Sequence, residues 1–222
     1  MKNCLLKTTS IILPILMFCG QVKADSFLVL NQQGLPIKNV VLEFTTTEIS
    51  PTIATPPKTL VMDQVDKLFK PDVLIINKGD YVSFPNSDNI RHHVYSFSSV
   101  KPFELKLYSG QPKAPLQFNT AGISVLGCNI HDSMVGYIYI ANSAHTLLTD
   151  EYGKATLADD IQYKSVNIWH ANLSSSVTNT QQINYDDLTK SSKDNTAFVI
   201  KLAVDSPEPR NTFQSIFKQN GK

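Results

Sequence analysis

Cys128, His131 and Met134 stand three residues apart, with Gly127 just before them and Gly136 just after. A thiolate, an imidazole and a thioether on one short stretch make two soft donors and one borderline donor, the set that suits copper in both oxidation states. Structural zinc asks for four Cys or His ligands and gains little from a thioether. The flanking glycines predict a tight loop. A trigonal copper site needs a second imidazole, and the sequence offers one upstream at His92 or His93. Taken alone, the same spacing would also fit a buried Cys and Met beside a surface His. The elements around the loop therefore decide.

Those elements read as short strands between turn signals, with no sustained helical period. Ser26–Leu30 and Val40–Phe44 flank the turn Asn31–Pro36, and a Thr- and Pro-rich connector runs from Thr45 to Lys58. Strands are expected at Thr59–Asp63, Asp72–Asn77, Tyr81–Phe84, His92–Phe97, Phe103–Leu107, Leu116–Phe118, Ile123–Leu126 and Gly136–Ala141. Beyond Asn142 comes a second group: a hairpin of Leu147–Thr149 and Ala155–Leu157, then Tyr163–Trp169 and Phe198–Val204 after a polar stretch. The fold class is all-β, of the sandwich kind such spacing suggests.

Composition excludes other classes. The 222 residues carry 20 basic against 19 acidic side chains, so bulk electrostatics offers no nucleic-acid partner. Lys2 and Lys7, the apolar run Ile11–Phe18 and Val22-Lys23-Ala24 form the pattern of a secretory signal peptide, cleaved after Ala24. That run is too short to span a bilayer, so no membrane span is expected in the mature chain. An exported, periplasmic location follows. Removing the lysines of this segment turns the net charge of +1 mildly acidic. Cys4 and Cys19 leave with it, so Cys128 has no disulfide partner within the mature chain and is buried, reactive or a ligand.

Two separated strings carry a family resemblance. One runs Gly79, Asp80, Val82, Phe84, Asn86, Asp88, His92, Val94, and the other Phe118, Gly122, Cys128, His131, Met134, Gly136, Ile138. Both resemble the cupredoxin family, the type 1 blue copper proteins (amicyanin- or plastocyanin-like), and the short ligand spacing looks most like amicyanin. The resemblance spans Thr59 to Asn142. It implies a Greek-key β-sandwich holding one type 1 copper per chain on His92, Cys128 and His131, with Met134 as a long axial ligand. His92 is preferred because the family's ligand sits four residues after the position held here by Asp88. His93 points to the opposite face of the strand, although a one-residue slip of register would exchange the two. It also stands where the family usually has an Asn that ties the two ligand-bearing segments together. In the family, the imidazole matching His131 brings electrons in and out at the surface. The implied function is single-electron carriage between redox partner proteins, a dehydrogenase or a cytochrome-like carrier, and not enzymatic catalysis. The competing reading is a copper-binding or copper-delivery protein without an electron-transfer role.

Other candidates carry less. No second soft donor lies near His145 or His170, Trp169 reads as a core aromatic, and Asp159-Asp160 and Asp186-Asp187 lack the spacing of a calcium loop. Leu148-Thr149-Asp150, Gly153, Ala155 and Leu157, followed by Tyr163, Val166 and Ile168, resemble the carboxypeptidase-regulatory or transthyretin-like sandwich (immunoglobulin-like in build). The expected division is a signal peptide over 1–24, a cupredoxin domain over 25–142, a small β-sandwich over 143–205 and a tail over 206–222. Residues 25–48 could instead pair with the second sandwich, with the cupredoxin inserted into it.

Overall fold

The structure is a computed structural model, and it describes residues 24–46, 56–112, 114–158, 161–173, 177–191 and 197–205. The expected signal segment before Ala24 and the expected tail after Asp205 lie outside the described residues.

Strand Val135–Ala141 shows how the chain is layered. Its sequence is apolar at nearly every position, the pattern of a strand covered on both faces. Ile138 and Ile140 enter one core with Met62, Phe69, Ile76, Val82, Phe84, Val94, Phe118, Leu126, Cys128 and Met134. Tyr137, Tyr139 and Ala141 face the other way, into a second core shared with Val41 and Trp169. The strand lies within a five-stranded sheet in the order Val73–Asn77, Val135–Ala141, Gly122–Cys128, His92–Ser96, Phe103–Tyr108. Its first two strands run parallel and the rest pair antiparallel. A three-stranded sheet of Leu116–Gln117, Tyr81–Ser83 and Thr59–Val61 also contributes to the first core.

The outer face of the large sheet is covered by strands from both ends of the chain. Val41–Thr46 lies between Thr146–Leu148 and Tyr163–Trp169, with Gln181–Asn184 at the edge. Opposite it, Asp25–Leu30 lies between Lys154–Leu157 and Ala197–Lys201, with Thr189–Lys190 outermost. These two sheets enclose a third core that includes Phe27, Val29, Leu42, Phe44, Val166, Ile168 and Ile200. Val41–Thr46 thus alternates strictly, with Leu42 and Phe44 inward and Val41 toward the large sheet.

Three expectations from the sequence need correction. Leu147–Thr149 and Ala155–Leu157 do not pair as a hairpin. Thr146–Leu148 pairs with Val41–Glu43, whereas Lys154–Leu157 pairs with Asp25–Leu28 in the facing sheet. The turn exists, with Asp150 Oδ1 accepting from the amides of Tyr152 and Lys154, but it carries the chain from one layer to the other. Thr59–Asp63 is not one strand: Thr59–Val61 ends at buried Met62, and Asp63–Val65 then pairs with Leu68–Lys70 in a hairpin of its own. The polar stretch before Phe198 contains Gln181–Asn184 and a single 3₁₀ turn over Tyr185–Asp187.

A buried carboxylate joins the two halves of the layering. Glu43 accepts from Tyr139 Oη at 2.7 Å and from the amides of Asn142 and Ser143 at 2.7 and 2.8 Å. Burial, then the bond to Glu43 and its charge, push the Tyr139 phenol well above its ordinary value. Near the proposed site, burial likewise pushes Tyr108 up to about 12. In the unfolded chain both phenols release their protons near pH 10. Their contribution to stability is therefore complete below about pH 10 and falls as pH rises toward the folded values. Denaturant unfolding between about pH 10.5 and 11.5 should lose up to about 1.4 kcal/mol per pH unit for each such tyrosine, and Tyr139→Phe should remove one share of that slope.

Candidate metal centre

Side-chain alternation and one bulge place the donors. His92, Val94 and Ser96 are buried on the inner face of their strand. Across the sheet Cys128 pairs with Val94, and Leu126 and Cys128 share the inner core. On the edge strand Phe103–Tyr108, the register slips between Val94↔Leu105 and His92↔Tyr108. Lys106 and Leu107 thus oppose His93 alone, a bulge of the kind found beside functional sites.

The loop after Cys128 closes on itself. The Cys128 amide donates to Met134 O at 3.2 Å and the Met134 amide to His131 O at 2.9 Å. These bonds fold the Cys-to-Met segment into one compact loop, with Met134 fully buried beside Cys128 in the same core and His131 partly exposed. The two glycines are there for space and not for turning. A Cβ on Gly127 would lie 2.6 Å from the Tyr95 ring, and one on Gly136 would lie 2.7 Å from Phe69 Cβ.

Three donors converge. His92 Nδ1 lies 3.7 Å from Cys128 Sγ and His131 Nδ1 lies 3.9 Å from it. All three donor atoms fall within 4.8 Å of one another, the only such group among the described residues. A first-row ion bound at about 2.0–2.1 Å by nitrogen and about 2.3 Å by thiolate holds the two donor types about 3.8 Å apart at trigonal angles, and about 3.6 Å apart at tetrahedral ones. The observed 3.7 and 3.9 Å match one first-row ion shared by the three donors, and the donor set fits copper. His93 is turned away: its Nε2 lies 3.0 Å from Glu104 Oε1, close enough for an ion pair but off line for a hydrogen bond, and its ring packs edge-on to Tyr95. Among the described residues, His145 and His170 join no cluster of donors.

Electrostatics keeps the donors available. Burial, followed by the neighbouring His92 and Lys67, holds the His131 imidazole below its ordinary value, so it is neutral and its lone pair is free at neutral pH. Behind His92 stands Asp88, whose Oδ2 receives the ring Nε2 at 2.7 Å. Burial works to raise the Asp88 carboxyl, but the Lys67 amide, the His92 ring and the Asp66 amide outweigh it and hold the group below the usual carboxylate range. Sequence reasoning used Asp88 only to set the register of His92. It missed this contact, and it also missed buried Gln64, which donates to Pro85 O at 2.9 Å and to Tyr108 Oη at 2.6 Å.

Two imidazoles and a thiolate thus gather beside the inner core of an all-β fold. Solved structures resemble parts of the chain at low identity. One is a purple cupredoxin from Nitrosopumilus maritimus, 17% identical, covering 38% of this chain and 99% of that one with a TM-score of 0.33. An amicyanin variant is 22% identical, covering 44% of this chain and 98% of its own, with a TM-score of 0.34. A copper-containing nitrite reductase from Thermus scotoductus is 21% identical over 51% of this chain and only 28% of its own, with a TM-score of 0.35. No protein-family model matches the chain, and a search of curated proteins returns no match. Among the described residues, no helix is long and apolar enough to cross a membrane.

Proposed function

We propose that the protein binds one copper ion through His92, Cys128 and His131, with Met134 as a weak axial ligand, and carries single electrons between exported redox partners. The observation that carries this reading is the convergence of the two Nδ1 atoms on Cys128 Sγ, at 3.7 and 3.9 Å. Copper would supply a one-electron couple. The chain's own residues do the rest. The strands holding His92 and Cys128 are paired in one sheet, which fixes both donors whatever the charge at the site. Burial of Cys128 keeps water from the sulfur. His131, on the loop and partly exposed, offers an imidazole edge to a partner, which would be a dehydrogenase or a cytochrome-like carrier meeting a small transient interface. The N-terminal signal pattern supports export to the periplasm.

The strand pairing further supports a domain reading in which residues 25–46 and 146–201 form one sandwich, with the copper-binding sandwich inserted between them. Visible absorption and electron paramagnetic resonance of the Cu(II)-loaded protein test the function. An intense blue thiolate-to-copper band, narrow hyperfine splitting and rapid electron exchange are expected. A weakly coloured protein with ordinary splitting overturns the type 1 reading, and transfer of Cu(I) to an acceptor by such a protein would place it in copper delivery.

A further inference from the structure

Asp88 does two things with one carboxylate. Oδ2 receives His92 Nε2 at 2.7 Å and the Lys67 amide at 3.0 Å, while Oδ1 receives the Asp66 amide at 2.7 Å. Asp66 and Lys67 form the two-residue turn of the Asp63–Lys70 hairpin, with φ of 55° and 59°. Such a turn ordinarily calls for Asn-Gly or Asp-Gly; Asp66 suits the first position, but Lys67 stands where glycine is preferred. The carboxylate thus binds a turn that the sequence does not favour, and on its other side it holds a fully buried imidazole. The loop carrying Asp88 is itself anchored: Asn86 Oδ1 accepts the Asp88 amide at 3.1 Å, and Asn86 Nδ2 donates to Ile90 O and Tyr108 O at 2.9 and 2.8 Å.

This geometry fixes the ring. With its Nε2–H directed at Asp88, His92 keeps its proton on Nε2 and leaves the Nδ1 lone pair facing Cys128. A carboxylate in that position also makes the imidazole a stronger electron donor. We propose that Asp88 is the positioning residue of His92 and biases the site toward the oxidised metal, while tethering the ligand to the Asp63–Lys70 hairpin. The inference rests on the copper reading of the site.

The test measures Cu(II) and Cu(I) affinity and the reduction potential of the loaded protein with Asp88→Asn, in two backgrounds: the natural turn, and a turn carrying Asp66→Asn and Lys67→Gly. Outer partners of ligating histidines are worth about 10–100-fold in metal affinity. Asp88→Asn should lower Cu(II) affinity about tenfold relative to Cu(I), which is a rise of about 59 mV for a one-electron couple. The same shift is expected in both backgrounds. If the shift vanishes once the turn is made self-sufficient, Asp88 acts only through the hairpin and the bias on the metal is overturned. If the variant binds copper with an unchanged potential in the natural turn, the proposal fails while the copper reading stands. A natural protein that takes up no copper overturns the site reading itself, and this inference with it. In the metal-free protein, nitrogen NMR of the His92 ring should report a proton on Nε2, and a proton on Nδ1 would overturn the positioning role independently of copper.

Discussion

Cys128→Ser is expected to abolish the thiolate-to-copper absorption of the loaded protein while leaving the metal-free fold standing. The intense band requires a sulfur-to-copper bond, and a serine hydroxyl is a hard donor that stays protonated at neutral pH. Hyperfine splitting should widen to that of ordinary cupric sites. Copper affinity should fall by more than about 100-fold, beyond what loss of an outer partner costs. The folding cost is modest. Cys128 is 4% exposed, and an unpaired buried hydroxyl would cost about 1–3 kcal/mol. The shorter C–O bond leaves that hydroxyl no nearer to His92 Nδ1 than the sulfur's 3.7 Å, beyond hydrogen-bond reach, so the cost spans that range. Circular dichroism checks that the variant is folded. A blue band that survives the substitution removes Cys128 from the site and overturns the proposed function.

The donors were legible because their chemistry is dense and local. Thiolate, imidazole and thioether within seven residues say what they could hold before any fold is known. Strand alternation sends His92 and His93 to opposite faces without saying which meets the loop, and the structure places His93 beside Glu104 and Tyr95, away from the sulfur. What the sequence hides is anything that depends on the approach of distant segments. Gly127 and Gly136 look like turn residues, yet both lie in strands where Tyr95 and Phe69 leave no room for a Cβ. The Asp63–Lys70 hairpin gave no turn signal because Asp66-Lys67 is not a favoured pair. Both of its turn amides donate to Asp88, some twenty residues downstream. The supposed hairpin of 147–157 failed for a related reason: a local turn motif fixes the bend, whereas the strands already waiting on each side fix which sheet receives each arm.

Trp169→Ala is expected to do the reverse of Cys128→Ser, costing stability and sparing the site. Trp169 is fully buried between its own sheet, where it pairs with Val41, and the five-stranded sheet. Its ring meets Tyr137 edge-on at 5.4 Å and lies 6.0 Å from Tyr139. Its Nε1–H donates to Val177 O at 2.7 Å. Deleting the ring removes the largest apolar body of that core and leaves the Val177 carbonyl without this donor. Such truncations cost about 3–5 kcal/mol, which for a chain of this size lowers Tm by about 6–20 °C. The tyrosines it touches point away from the inner core that holds Cys128 and Met134. The absorption and paramagnetic resonance of the loaded variant should therefore match those of the natural protein at temperatures where it remains folded. Calorimetry and spectra on the same samples decide the matter: an unchanged Tm would show that the two layers do not depend on this contact. An altered copper spectrum would show that the second sandwich shapes the site as well as covering its sheet.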